Sequence, residues 1–342
     1  MDEDSQLSLF STGAPPRKEF RPSAFAERLE REIAETAAIA ARVRKNVRFG
    51  TSSWSFPGWA GIVYSRRAPA SELAKEGLVE YARHPLLNTV GIDRGFYAPI
   101  SPEDLRRYAG QLPAAFPCCT KAPESVTGAV LSAPGTPRGG GPRPPNPGFL
   151  DPRRFEEEML GPFRAAFAEH AGPFLLQFPP APAEARLAPR EFAERLDRFL
   201  GELPREFRYA VELRDPTLLT GEYGRVLASR GAAHVYNCAT AMPMPAEQAE
   251  RIPAAAADFV VVRLLLRPGT RYDDRREDFL PFDRIVDPNP EMRRQTVELA
   301  RAASGRDVFV LVNNKAEGCA PATIRALAEQ LASEAESGPV ST

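Results

Sequence analysis

Residues 208–216 read RYAVELRDP. The opening Tyr-Ala-Val is apolar and β-favouring, and the stretch then turns abruptly to charge at Glu212, Arg214 and Asp215. A short apolar run of this kind, closed by polar and proline residues, suits one strand. Side chains alternate between the faces of a strand, so Glu212 and Arg214, two positions apart, share one face. A carboxylate and a guanidinium therefore leave the end of the strand together.

The same pattern occurs along the whole chain. Strand candidates cover residues 46–51, 88–92, 116–121, 173–178, 208–213, 232–237, 258–264 and 307–313, with helix-favouring stretches between them. Eight strands in strict alternation with helices predict an α/β fold, a TIM-type (β/α)8 barrel. An open doubly wound sheet is the alternative. Residues 22–44 favour helix, with Ser23 as a cap and Leu29, Ile33, Ala37 and Ala40 at helical spacing, so an N-terminal helical extension packed on the barrel is expected. The expected organisation is a disordered tail plus this helix over residues 1–45, one barrel over 46–335 and a flexible tail over 336–342. A Gly- and Pro-dense segment at 128–150 and a charged one at 267–290 follow the third and seventh strands. In a barrel those are βα loops on the catalytic face, although the first reads equally well as a plain surface loop.

The chain is 43% hydrophobic with a net charge of -1, which suits a globular core and gives no bulk attraction to nucleic acid or anionic lipid. No apolar run reaches the length of about 18 residues that a membrane span needs. The start, MDEDSQLSLF, is acidic and lacks a signal core, so a cytoplasmic location is expected. Cys118, Cys119, Cys238 and Cys319 show no CxxC spacing, and His84, His170 and His234 are isolated. Reduced thiols and no histidine-built metal site follow. There is no GxGxxG, P-loop or GxSxG, so no cofactor is expected either.

In a barrel the chemistry sits where the strands end. Here they end in Thr51-Ser52-Ser53, Asp93-Arg94, Thr120-Lys121, Gln177, Glu212 with Arg214, Asn237, Arg263, and Asn313-Asn314-Lys315. Glu212 is a candidate general acid or base, with Asp93 as a second proton carrier; the bland reading is a structural Glu212–Arg214 ion pair. Lys121 can hold an anion, or form a Schiff base if its pKa is lowered. Arg214 can clamp a phosphate or carboxylate. Arg263 interrupts VVVRLLL, residues 260–266, and requires a partner there, for which Glu212 is the natural choice. Gln177, Asn313 and Asn314 offer amides to a ligand, or in the case of the asparagines cap a turn. The loop FGTSSWSFPGWAGIVY, residues 49–64, holds both tryptophans. Ser52 is expected at the mouth and Trp54 at its rim, stacking on a ligand or packing the loop, while Trp59 anchors the loop on a neighbouring helix.

The motifs GTSSWSFPGW at 50–59, FY at 96–97, TKAPESVT at 120–127, GPFLLQFPP at 172–180, AVELRDP at 210–216, VVRL at 261–264 and VNN at 312–314 closely resemble the domain of unknown function 72 family. The resemblance covers about residues 47–331. It implies a TIM-type barrel, found in bacteria and archaea, with shared motifs at the mouth and no established activity. It adds Tyr97 to the candidate ligand-binding residues. The chain departs from the family pattern at three places. Val90-Gly91-Ile92-Asp93 stands for Val-Glu-(Ile/Val)-Asn, Leu264-Leu265-Leu266 for Leu-His-Gly, and Leu218 for a tryptophan.

The functional expectation is an enzyme acting on a small anionic ligand, phosphorylated or sugar-like. Lys121, Arg214 and Arg263 would hold the anion while Glu212 and Asp93 move protons. A nucleic-acid-binding or phosphodiester-cleaving protein is the alternative, less favoured by the near-neutral charge, and a non-catalytic ligand-binding barrel is a third. No membrane partner is expected, and the sequence does not fix an oligomeric state. Convergence of Glu212, Arg214, Arg263 and Lys121 in one pocket is the geometric core of this reading.

Overall fold

Eight strands occupy the expected places: β1 Val47–Thr51, β2 Val90–Ile92, β3 Cys118–Lys121, β4 Ala171–Phe178, β5 Tyr209–Leu213, β6 Ala233–Cys238, β7 Phe259–Leu264 and β8 Asp307–Val312. The computed structural model describes residues 23–131, 144–254, 257–270 and 276–333. Residues 1–22 of the expected N-terminal tail, the expected tail at 336–342, and residues 132–143 and 271–275 of the two long loops lie outside the described residues. All strand pairings are parallel, in the order β1-β8-β7-β6-β5-β4-β3-β2. The sheet therefore curls until β1 and β2 face each other across one seam. This is the TIM-type (β/α)8 barrel, nearly closed, and the open-sheet alternative falls away.

Strand alternation sorts the side chains into two cores. Cys119, Leu175, Ala210, Val235, Val261, Leu311, Phe259 and Phe309 fill the barrel interior. Their neighbours, among them Phe174, Leu176, Val211, Val260, Val262 and Val310, pack outward against the helices. Counting on by two from the interior set reaches Lys121, Gln177, Glu212, Asn237 and Arg263. Each of these therefore stands above the apolar interior, at the C-terminal end of its strand.

Side chains, rather than a regular strand ladder, close the seam. Phe49 N donates to Asn88 Oδ1 at 2.7 Å, and the amides of Asn88 and Thr89 donate to Phe49 O at 3.0 and 3.2 Å. Further up, the buried Tyr81 hydroxyl accepts from Thr51 N at 2.9 Å and donates to Thr89 O at 3.1 Å. The backbones approach so closely that a Cβ on Gly91 would lie 2.9 Å from Ser52 Cα and 3.0 Å from Thr51 O.

The helix Ala24–Ala40 starts where the Ser23 hydroxyl accepts from Ala26 N at 3.2 Å. It buries Leu29 and Ile39, and Arg325 on the last helix, Ala320–Ser333, pairs with its Glu32 and Glu35. Among the described residues no helix is long and apolar enough to cross a membrane.

Tyr81→Phe removes the hydroxyl that joins β1 to β2 and leaves a buried amide and carbonyl short of a partner. A loss of ~1–3 kcal/mol is expected in urea unfolding, with the far-UV spectrum unchanged. An unfolding curve that overlays the parent would mean that the hydroxyl does not hold the seam.

Candidate functional site

Arg263 sits at the centre of the mouth, its side chain 0% exposed. One terminal nitrogen donates to Glu212 Oε2, and the other donates to both carboxylate oxygens of Asp93, at 3.0 and 2.8 Å. Strands β7 and β2 are separated in the barrel order by β8 and β1, so this one side chain reaches across the opening. Glu212, also fully buried, is held from the other side by Arg214, which donates to its Oε1. Arg214 further donates to Gln177 Oε1 at 3.2 Å, and its own side chain is 24% exposed. Gln177 pairs with Glu212 in the β4–β5 register, and Asn237 with Arg263 in β6–β7. The expected grouping of Glu212, Arg214 and Arg263 is thus a hydrogen-bonded chain that runs from Gln177 to Asp93.

Lys121 lies in the same field but outside that chain. It is 8% exposed, and its Nζ stands 4.4 Å from the centre of the Phe96 ring. Among the described residues no hydrogen bond or ion pair holds it. Burial pushes its pKa down to about 8, with Arg263 and Arg214 acting in the same direction and Asp93 and Glu212 against it. Burial would likewise raise the pKa of Glu212, but the charges of Arg214, Arg263 and Lys121 outweigh it and hold the group down to about 2. For Arg263, burial opposes the charge and the two carboxylates more than restore it.

These values separate the roles that the sequence left together. Glu212 is ionised throughout the neutral range, and an arginine holds each of its oxygens, which suits a fixed counter-charge better than a proton carrier. Asp93, with a side chain 24% exposed, is the carboxylate that keeps access to the opening. Three cations face two carboxylates here, so the cluster carries an excess positive charge. Ser52 Oγ, Asn237 Oδ1 and Arg263 Nε are buried without a hydrogen-bond partner in the protein. Asn237 and Arg263 belong to the inward-facing set and Ser52 directly follows β1, so all three add unused hydrogen-bonding capacity at this end of the barrel.

Other expected site residues do structural work instead. Trp54 is buried, donates its indole N–H to Leu73 O at 2.9 Å and packs edge-on against Tyr108. Its N–H is thereby used, and its ring belongs to the core rather than to the rim. Trp59 is buried beside Phe56 and donates to Asn314 Oδ1 at 3.3 Å, so it anchors the loop on the end of β8 rather than on a helix. Asn314 Oδ1 also accepts from Ala320 N, and Asn313 Oδ1 accepts from Lys315 N, which makes both asparagines turn and helix caps. Gly58 lets this loop touch the one that follows β7, since a Cβ there would fall 1.8 Å from Pro281 O. Tyr97 is 71% exposed beside Phe96. Phe96 itself was not singled out from sequence, although the FY pair flagged its position. Among the described residues no three His, Cys, Asp or Glu side chains are grouped to hold a metal ion.

The structure also accounts for one departure from the family pattern. Gly91 stands where a glutamate is usual, and the close approach of Thr51 and Ser52 leaves no room there for any side chain. The position usually held by histidine carries Leu265, which is buried with its amide bonded to Cys238 O at 3.1 Å.

Residues 48–341 match the family described as "Protein of unknown function DUF72". Among solved structures, a DUF72 family protein from Enterococcus faecalis superposes with a TM-score of 0.57 at 16% identity, covering 84% of this chain and 95% of its own. One from Thermotoga maritima gives 0.54 at 19% identity, covering 85% and 99%. At such identity the likeness concerns the fold. No curated protein matches the chain.

Glu212→Gln leaves the buried Arg263 and the partly exposed Arg214 short of their shared counter-charge, and a loss of about 3–5 kcal/mol at neutral pH is expected from urea unfolding. The lowered pKa of Glu212 fixes the sign of the pH dependence. The stability it contributes is complete above the ordinary value of 4.5 and is lost as pH falls through about 2. The gap between parent and variant should therefore narrow below pH 4.5; a gap that stays constant down to acid pH would count against the ion pairs described.

Proposed function

This chain belongs to the family described as Protein of unknown function DUF72, and from the geometry of its barrel mouth we propose that it binds a small anionic ligand there. The excess of cationic charge in a nearly buried cluster is the observation that carries the reading. The two terminal nitrogens of Arg263 are engaged by Glu212 and Asp93, so its charge is matched within the frame and only its Nε remains unpartnered. Arg214 is partly exposed, and Lys121 makes no ion pair among the described residues; these two supply the charge that a ligand would neutralise. In this low-dielectric setting a phosphate or carboxylate gains more from each contact than it would at an open surface. Asp93 is the group in position for any proton transfer, since Glu212 is locked as a carboxylate.

The confinement of the cationic groups to the barrel mouth favours a small ligand over nucleic acid, as does a whole-chain net charge of -1. Thermal-shift and calorimetric screens should show stabilisation by small phosphorylated or carboxylated compounds. A ligand at about a hundred times its Kd would add ~2.7 kcal/mol. Arg214→Gln should weaken that binding at least about tenfold, with the far-UV spectrum retained and part of the stability lost because Glu212 keeps only one of its two arginines. Stabilisation by oligonucleotides alone, lost with added salt, would overturn the proposal.

A further inference from the structure

The buried amine of Lys121 at the mouth is chemically unlike the guanidiniums around it. Lysine occurs in this chain only at positions 18, 45, 75, 121 and 315, although lysine and arginine together number 44. Where this protein needs a fixed charge at its mouth, at 214 and 263, it uses arginine, which stays protonated and cannot act as a nucleophile. Position 121 is different in kind. Its amine is buried at the C-terminal end of β3, and no hydrogen bond or ion pair anchors it among the described residues. Burial and, after it, two arginines disfavour its ammonium form, and Asp93 is the strongest of the charges that favour it. The ring of Phe96 fixes its position at 4.4 Å, and aromatic packing leaves the nitrogen without a committed acceptor.

We propose that Lys121 forms a Schiff base with the carbonyl carbon of an anionic aldehyde or ketone, a 2-oxo acid or a sugar phosphate, whose negative group is held by Arg214. This deepens the reading of the mouth as an anion site and rests on it. The lone pair of the neutral Nζ attacks the carbonyl carbon, a C–N bond forms, and the carbonyl π electrons move to oxygen. The oxygen is then protonated twice, once by a proton released from Nζ and once through Asp93. It leaves as water, and the nitrogen becomes an iminium conjugated to the substrate. No oxidant or reductant takes part. The positive iminium would replace the ammonium next to Asp93 and Glu212, so the charge of the cluster is unchanged.

The test is reductive trapping on the full chain. Protein is incubated with pyruvate or glyceraldehyde 3-phosphate, cyanoborohydride is added, and intact mass and peptide mapping are recorded. One reduced adduct per chain is expected, on the peptide containing Lys121 and at least roughly tenfold over any other lysine. Lys121→Arg, which keeps a cation, should lose that adduct. Peptide mapping of the parent protein answers the question even if the variant fails to fold. Modification spread evenly over the five lysines, or no adduct, overturns the proposal. Thermal shifts with inorganic phosphate run in parallel. Stabilisation by phosphate without trapping removes the Schiff base and leaves the anion site, whereas the absence of both removes the two together.

Discussion

A fully buried arginine constrains everything at this barrel's mouth. Taking a guanidinium out of water costs several kcal/mol unless counter-charges and hydrogen bonds meet it. Arg263 is met by Glu212 on one side and Asp93 on the other. Glu212 is then itself a buried carboxylate, and a second arginine, Arg214, shares it and ties the chain to Gln177. Each member is tolerable only because the next one is present. The order of the cluster follows from one charge placed where water cannot reach.

That order decides which groups remain available. Arg263 and Glu212 satisfy each other and so act as a frame. Arg214 has part of its surface exposed, Asp93 keeps an exposed edge, and Lys121 is held near the frame without joining it. A site that keeps its buried ions matched while leaving one amine outside the paired chain and one guanidinium partly exposed is suited to recognising a ligand that brings its own negative charge. Burial lowers the proton affinity of Lys121, and the charges of the frame act on it in both directions, the two guanidiniums with burial and the two carboxylates against it.

The walls of the mouth are set by close backbone approaches. At the seam, Tyr81 and Asn88 supply the hydrogen bonds that a full ladder between β1 and β2 would have made. The loop after β1 then packs directly on the loop after β7, with Gly58 against Pro281 and Phe56 edge-on to Phe282. The two tryptophans belong to this wall. Their apolar bodies are buried and their N–H groups are spent on Leu73 and Asn314, so a stretch without regular secondary structure is held by side-chain contacts.

The sequence by itself determined the eight strands, their parallel order and the helix at the start, because strand alternation and helical periodicity are local properties written into spacing. It also determined that Glu212, Arg214, Arg263 and Lys121 share one end of the barrel, since each follows an interior position by two. Roles were not legible in the same way. Whether Trp54 faces a ligand or the core, whether Asn314 binds or caps, and whether Glu212 moves a proton or holds a charge all depend on partners far away in the chain. Asp93 meets Arg263 across 170 positions, and Trp59 meets Asn314 across 255. Only the closed barrel brings such partners together, and with them the burial and neighbouring charge that make one carboxylate a fixed ion and leave one buried amine outside the paired chain.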